Sequence, residues 1–289
     1  MDASKHLKRR FVSAAAALLI ALAAMITATF AWYIYQTSIH TVDVRMAVGA
    51  GASLQISNSY EGTYGSSTVM DAFVGTLDPV STDRITGGFQ KVYGFTNGSE
   101  NQPNLVANLF GVSESNDYYK TTLFIRTNGN KQKVYLSNIG YEDSDPEKPL
   151  STALRVGLVT HKSGKNGAVE EEFIFAINTE DNPEAEYNTA TGEEGYVLDS
   201  TKTDGTTVPL KNLYTDANYC TYDADTGVAS LKEDSVSLFE VAGKGQSDYG
   251  EPVQVDVYVW LEGCDKDCTN NLCNAMLKNL ALSFAGTEQ

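Results

Sequence analysis

Twenty-five consecutive residues without a charge, Phe11 to Tyr35 (FVSAAAALLIALAAMITATFAWYIY), constrain this chain more than any other stretch. Rising about 1.5 Å per residue, such a helix crosses a hydrocarbon core of about 30 Å. Lys5, Lys8, Arg9 and Arg10 precede it and the next charge is Asp43, so the basic flank, residues 1–10, stays cytoplasmic and residues 36–289 are carried across. Two fates follow for the helix at 11–35. Its length exceeds that of an ordinary signal core and favours an uncleaved anchor, with Trp32, Tyr33 and Tyr35 as an interfacial belt. The small residues Thr29 and Ala31 favour cleavage between Ala31 and Trp32.

Beyond Ala31 the chain holds 17 Lys+Arg against 36 Asp+Glu, a formal charge of −19. Nucleic acid is excluded as a partner, because that affinity comes from basic side chains on phosphates. The remaining 250 or so residues can bury a full core. Four cysteines, Cys220, Cys264, Cys268 and Cys273, read in an oxidising compartment as two disulfides of open pairing. A zinc site built on Cys264-x3-Cys268-x4-Cys273 is the rival reading; its spacing is not the usual C-x2-C.

Period-two alternation marks most of the rest as strand. Val42, Val44, Met46 and Val48 alternate with Asp43 and Arg45, and Leu54 and Ile56 follow the break at Gly49 to Ala52. Tyr118 to Thr127 and Gln132 to Ile139 read as a hairpin closed by Asn128-Gly129-Asn130. Tyr141 to Pro149 reads as a solvated acidic loop, without the ligand spacing of a calcium loop. Leu154 to His161 and Glu172 to Asn178 are apolar enough for the middle of a sheet. The tract 179–209 reads as a polar loop or surface hairpin insertion, and Tyr222 to Gly227 as a hairpin turn rather than a calcium string.

Ser237 to Val241 is a further strand. In Val253 to Leu261 the aliphatic positions Val253, Val255, Val257, Val259 and Leu261 make a buried face, with a polar and aromatic face opposite. One or two helical turns are expected in Thr269 to Met276, then a last strand over Leu280, Leu282 and Phe284. The expected fold is all-β, a β-sandwich of jelly-roll-like type.

The chemistry-bearing residues are few. Only His161 belongs to the folded part, and there is no H-E-x-x-H, G-x-S-x-G or phosphate loop. Carboxylate groups such as Glu170-Glu171-Glu172 and Asp265 with Asp267 are expected on so acidic a surface. No enzyme activity, cofactor or catalytic residue is expected.

The end of the hydrophobic segment, Thr29-Phe30-Ala31-Trp32-Tyr33, followed by Val42-Asp43-Val44 and Leu54-Gln55-Ile56-Ser57, resembles the amino-terminal region of the TasA/camelysin family of Gram-positive surface and biofilm-matrix proteins. Val257 to Gly263, continuing through Asp265, Asp267 and Cys268, is similar to a block near the end of clostridial surface proteins with this type of signal. Leu154-Arg155-Val156-Gly157-Leu158 is similar to a strand of the same group. The likeness covers well under half of the chain. It implies a jelly-roll fold, processing by a SipW-type signal peptidase between Ala31 and Trp32, and self-association into extracellular fibres or matrix. It also implies a donor strand within Trp32 to Val48. A zinc-protease motif is lacking. The competing expectation is a membrane-anchored adhesin or ligand-binding module on an uncleaved helix.

Overall fold

A computed structural model describes residues 38–39, 42–46, 54–70, 77–92, 117–178, 196–198, 207–209, 213–223, 225–245, 248–265, 267–268, 270–272 and 275–288. The chain divides between Tyr35 and Gln36, and every described residue belongs to the second unit. Among the described residues no helix is long and apolar enough to cross a membrane. The segment 11–35, its basic flank, Ala31, Trp32, Val48 and Cys273 all lie outside the described residues.

The protein is all-β, with short 3-10 turns as the helical pieces among the described residues. In chain order the strands are β1 (Ser38–Ile39), β2 (Val42–Met46), β3 (Gln55–Ser57), β4 (Ser67–Met70), β5 (Pro79–Ser81), β6 (Gln90–Lys91), β7 (Tyr119–Arg126), β8 (Gln132–Asp143) and β9 (Leu154–His161). There follow β10 (Val169–Ala176), β11 (Tyr196–Leu198), β12 (Thr207–Pro209), β13 (Leu213–Tyr214), β14 (Thr221–Asp223), β15 (Val228–Ser230), β16 (Ser237–Val241), β17 (Val253–Glu262) and β18 (Met276–Glu288).

The first large sheet runs β16-β8-β18-β2-β4, with β1 beside the start of β18. The second runs β13-β10-β9-β17; on the far side of β17, β7 and then β3 follow Val253 to Val259, while β5 and β6 follow Leu261 and Glu262. The inner faces share one apolar core: Leu136, Leu280, Leu282 and Phe284 of the first sheet meet Leu123, Val156, Leu158, Val255 and Val257 of the second. Leu280, Leu282 and Phe284 are wholly buried, and each such side chain stabilises the fold by roughly 1.5–3 kcal/mol relative to exposure.

Three expectations need correction. β7 and β8 are not a hairpin, since β7 pairs with β17 and β3 in one sheet while β8 pairs with β18 and β16 in the other. Asn128, Gly129 and Asn130 lack the positive φ of a type I′ turn, and Gly243 N–H donates to the Gly129 carbonyl at 3.1 Å. The segment is an arch, and it lets two neighbouring apolar strands face each other across the core.

The acidic loop begins later than expected. β8 continues to Asp143, with Tyr141 and Glu142 paired to Leu280 and Asn279, because β18 is long enough to carry it. The Asp143 carboxylate then accepts from the Ser151 amide at 3.0 Å and from its hydroxyl.

Beyond Gln254, the polar and aromatic face of β17 is buried as well. Tyr258 and Trp260 form a second apolar cluster with Val80, Ile85, Phe89, Val159 and Ile174, and the segment 77–92 covers that side. Gly157 of β9 makes this possible: a Cβ there would stand 2.5 Å from Ile85 Cδ1 and 2.8 Å from Trp260 Cζ3.

Other expectations hold among the described residues. Ser237–Val241 is β16, and β11 pairs with β12 as a hairpin inside the polar tract. β14 and β15 form the hairpin at Tyr222 to Gly227, where Gly227 takes φ +66° and the Asp223 carboxylate accepts from the amides of Asp225 and Thr226.

Candidate assembly interface

The amino-terminal strand is built into the first sheet from the backbone up. β2 runs parallel to β18, with Val42 opposite Leu280, Val44 opposite Leu282 and Met46 opposite Phe284. On its other side it pairs antiparallel with β4, Val42 opposite Met70 and Arg45 opposite Ser67. β1 lies parallel to Met276 and Leu277. Segment 38–46 thus accompanies β18 from Met276 to Phe284, and β2 is the link between β18 and β4. Expected donor-strand residues Val42, Val44 and Met46 share this one slot.

On the opposite side the two sheets present edges that are unpaired among the described residues. Among the described residues β16 pairs only with β8, and β13 reaches β10 only at Ile174 and Phe175. Between them opens a groove of about 590 Å³, lined by Lys133, Lys162, Glu170, Glu171, Phe239 and Val241 among others. Lys131, also lining it, pairs with Glu240. Glu170 and Glu171, read in the sequence as surface carboxylates, line this groove. Charged side chains on a free edge discourage indiscriminate strand pairing.

His161 belongs to a polar group on the outer face of the second sheet. Its Nδ1 lies 2.9 Å from the Gly167 carbonyl and its Nε2 3.3 Å from Asp256 Oδ2. Asp256 also accepts from Thr122 Oγ1 at 2.8 Å and Gln254 Nε2 at 2.9 Å, with Lys120 Nζ 3.6 Å away. Burial alone would raise its pKa, but these hydrogen bonds and the neighbouring Lys120 and His161 outweigh it and hold the carboxyl below its ordinary value. The group's contacts account for keeping one carboxylate inside a sheet face.

A second buried polar group sits where β17 ends. Glu262, 2% exposed, accepts from Trp260 Nε1 at 3.0 Å and from the Cys264 amide at 3.0 Å. Burial pushes its pKa up, against the opposing pull of Arg155 and of hydrogen bonds from Trp260 and Ser81. Arg155 of β9 forms a buried ion pair with Asp265 and donates to the Leu154 carbonyl at 3.0 Å. Asp265 also accepts from the Asp267 amide at 2.9 Å, so this carboxylate pair of the sequence is a turn and an ion pair.

Cys220, Cys264 and Cys268 are buried free thiols, and no disulfide joins them. Cys220 packs with Tyr135 and Ala285 against the first sheet, whereas Cys264 and Cys268 belong to the turn after β17. Burial raises the pKa of all three thiols. Among the described residues no cluster of three or more His, Cys, Asp or Glu is arranged to hold a metal ion.

Sequence reasoning missed Arg155 and Glu262, although both lie in stretches it singled out. A charge inside an otherwise apolar strand was the available signal. Comparison with protein-family models, with curated proteins and with solved structures gives no match.

Proposed function

We propose that this chain is a secreted structural subunit of extracellular fibres or biofilm matrix, assembled by β-strand addition. Its two-sheet ectodomain is read as a jelly-roll-like sandwich, and Val42–Met46 as the strand that passes between copies. The observation that carries the reading is the placing of β2, a strand from the amino-terminal extension held between β18 and β4 by backbone pairing. When the same strand from a neighbour enters that slot, every backbone hydrogen bond of the slot is reformed, so exchange costs little enthalpy. Head-to-tail exchange gives a filament when its rotation does not close into a ring. Cleavage between Ala31 and Trp32 frees the strand from the membrane and sets the moment at which exchange begins.

Deletion of residues 32–48 is expected to leave a folded domain that stays monomeric by light scattering, and electron microscopy of the same material should show no fibres. Fibres from the truncated protein would overturn the reading. Addition of a synthetic peptide spanning residues 36–48 should restore the missing strand and raise the melting temperature of the truncated domain.

A second reading, an anchored adhesin on the uncleaved helix, draws on the groove between β16 and β10. The mass of the native amino terminus separates the two: a chain starting at Trp32 supports the fibre subunit, and one keeping the hydrophobic segment supports the anchor.

A further inference from the structure

Lys91, at the end of β6, stands between two carboxylates brought from distant parts of the chain. Its Nζ lies 2.8 Å from Asp117 Oδ1 and 3.1 Å from Asp78 Oδ2. Asp117 precedes β7 and Asp78 precedes β5; the Asp78 amide donates to the Asp117 carbonyl at 3.2 Å, which fixes the two backbones side by side. The side chains of Lys91 and Asp117 are 19% and 8% exposed, that of Asp78 36%. Leu77 and Val92, their chain neighbours, are buried, and so is Phe89, which stacks on Tyr118 at 4.3 Å.

We propose that these three residues are a self-modifying site, in which Lys91 and Asp117 join in an intramolecular amide with Asp78 as the proton-accepting partner. Burial raises the pKa of Asp78 against the opposing pull of Lys91, and the neighbouring Asp117 raises it further, so Asp78 is the carboxyl of the pair that takes up a proton more readily than an ordinary one. Burial would lower the pKa of Lys91, but its hydrogen bonds to Asp117 and Asp78 outweigh that, and the ammonium is the resting form.

The reaction therefore starts with proton transfer. Asp78, once protonated, passes its proton to the Asp117 carboxylate, and the Lys91 ammonium then gives one proton to the Asp78 carboxylate. The neutral amine attacks Cγ of the protonated Asp117 carboxyl. The N–Cγ bond forms, the C–OH bond breaks, and the hydroxyl leaves as water with a second proton from nitrogen. Asp78 ends protonated and can donate to the new amide carbonyl. Atoms and charge balance without an oxidant, a cofactor or an activated donor. Holding amine and carboxyl at 2.8 Å supplies the proximity that makes amide formation from a free acid feasible in a fold. The bond would fasten the β5–β6 hairpin, whose backbone pairs with β17 at Leu261 and Glu262, to the start of β7.

The test is the intact mass of the full chain, denatured and reduced, against that calculated from its determined amino terminus. The expected value is lower by the mass of one water molecule, and fragmentation should locate a branched peptide joining Lys91 to Asp117. Lys91→Arg keeps the charge and must restore the full mass. Asp78→Ala keeps both bonding residues and is expected to restore it as well. The full calculated mass in the folded wild-type protein overturns the proposal. Loss of water mapped to any other residue pair, or its persistence in Asp78→Ala, overturns the assignment of roles. None of these outcomes depends on whether the chain forms fibres.

Discussion

β17 and β18, ten and thirteen residues long, each lie inside one of the two large sheets, yet they are held in different ways. β17 is covered on both faces, by the shared core and by the cluster around Trp260. β18 buries Leu280, Leu282 and Phe284 inward, while its outer positions include the exposed Met276 and Lys278 and the partly exposed Asn279, Ala281 and Ser283. The second sheet is thus pinned by side chains on both faces of β17, whereas the outer face of the first is buried at Tyr135 and Ala285, against Cys220, and is more open along β18 before them. The first sheet depends more on the side-by-side pairing of its strands, and the amino-terminal strand β2 fills the place between β18 and β4. A molecule that exchanges strands needs this division, with one layer that stays fixed while a slot in the other is emptied and filled.

The largest losses are expected in and beside β17. Replacing Trp260 by Ala removes the largest fully buried side chain and should cost about 3–5 kcal/mol in urea denaturation. Asp265→Ala strands the Arg155 guanidinium in the interior, and a loss of about 3–5 kcal/mol is expected for a buried pair broken on one side. Gly157→Ala should cost about 1–3 kcal/mol through overpacking, because the added methyl meets Ile85 and Trp260. If all three substitutions cost less than about 0.5 kcal/mol, an ordinary surface value, the second sheet is not pinned as described.

These sites show what the sequence made legible. Alternation from Val253 to Leu261 reveals β17 and its inner face, because period two is a local property. Burial of Trp260 and Tyr258 on the other face is not local: it comes from Ile85 and Phe89, far away in the chain and in a stretch with weak strand signals. The arch at Asn128 to Asn130 has the composition of a hairpin turn, and only the partners of β7 and β8 in different sheets distinguish the two. Cysteine count likewise suggests pairing, yet Cys220 lies against Tyr135, on the other sheet from Cys264. For the candidate interface, the alternation of Val42 to Met46 could be read in advance, but its parallel register on β18 could not. The lysine between Asp78 and Asp117 left no trace, since three charged residues separated by such distances look like surface.

pH separates two carboxyl groups on the same strand. The folded pKa of Asp256 lies below its unfolded value, near 3.8, so its contribution is present above that pH and is lost as pH falls through the folded value. Glu262 behaves oppositely. Its folded pKa lies above about 4.5, so its contribution is complete below that pH and is lost as pH rises through the folded value. Asp256→Asn should therefore flatten the acid limb of a stability profile, and Glu262→Gln the limb above about pH 4.5. The readout is the slope with pH, because the amide introduced by Glu262→Gln also lacks one of the two acceptor oxygens at every pH. Matching slopes in wild type and Glu262→Gln would show that burial does not govern this carboxyl.

The smallest expected effect sharpens the contrast from the β18 side. Lys278 pairs with Glu142 at 2.9 Å, with both side chains more than half exposed. Solvent and salt screen such a pair, and Lys278→Ala should change stability by no more than about 0.5 kcal/mol. A loss as large as that of Asp265→Ala would mean that the outer face of β18 is covered, and a covered face would leave less freedom for the neighbouring strand to exchange. A near-zero value leaves β18 dependent on its inner face and on the strands beside it, which is the condition under which the occupant of the β2 slot decides how the first sheet is completed.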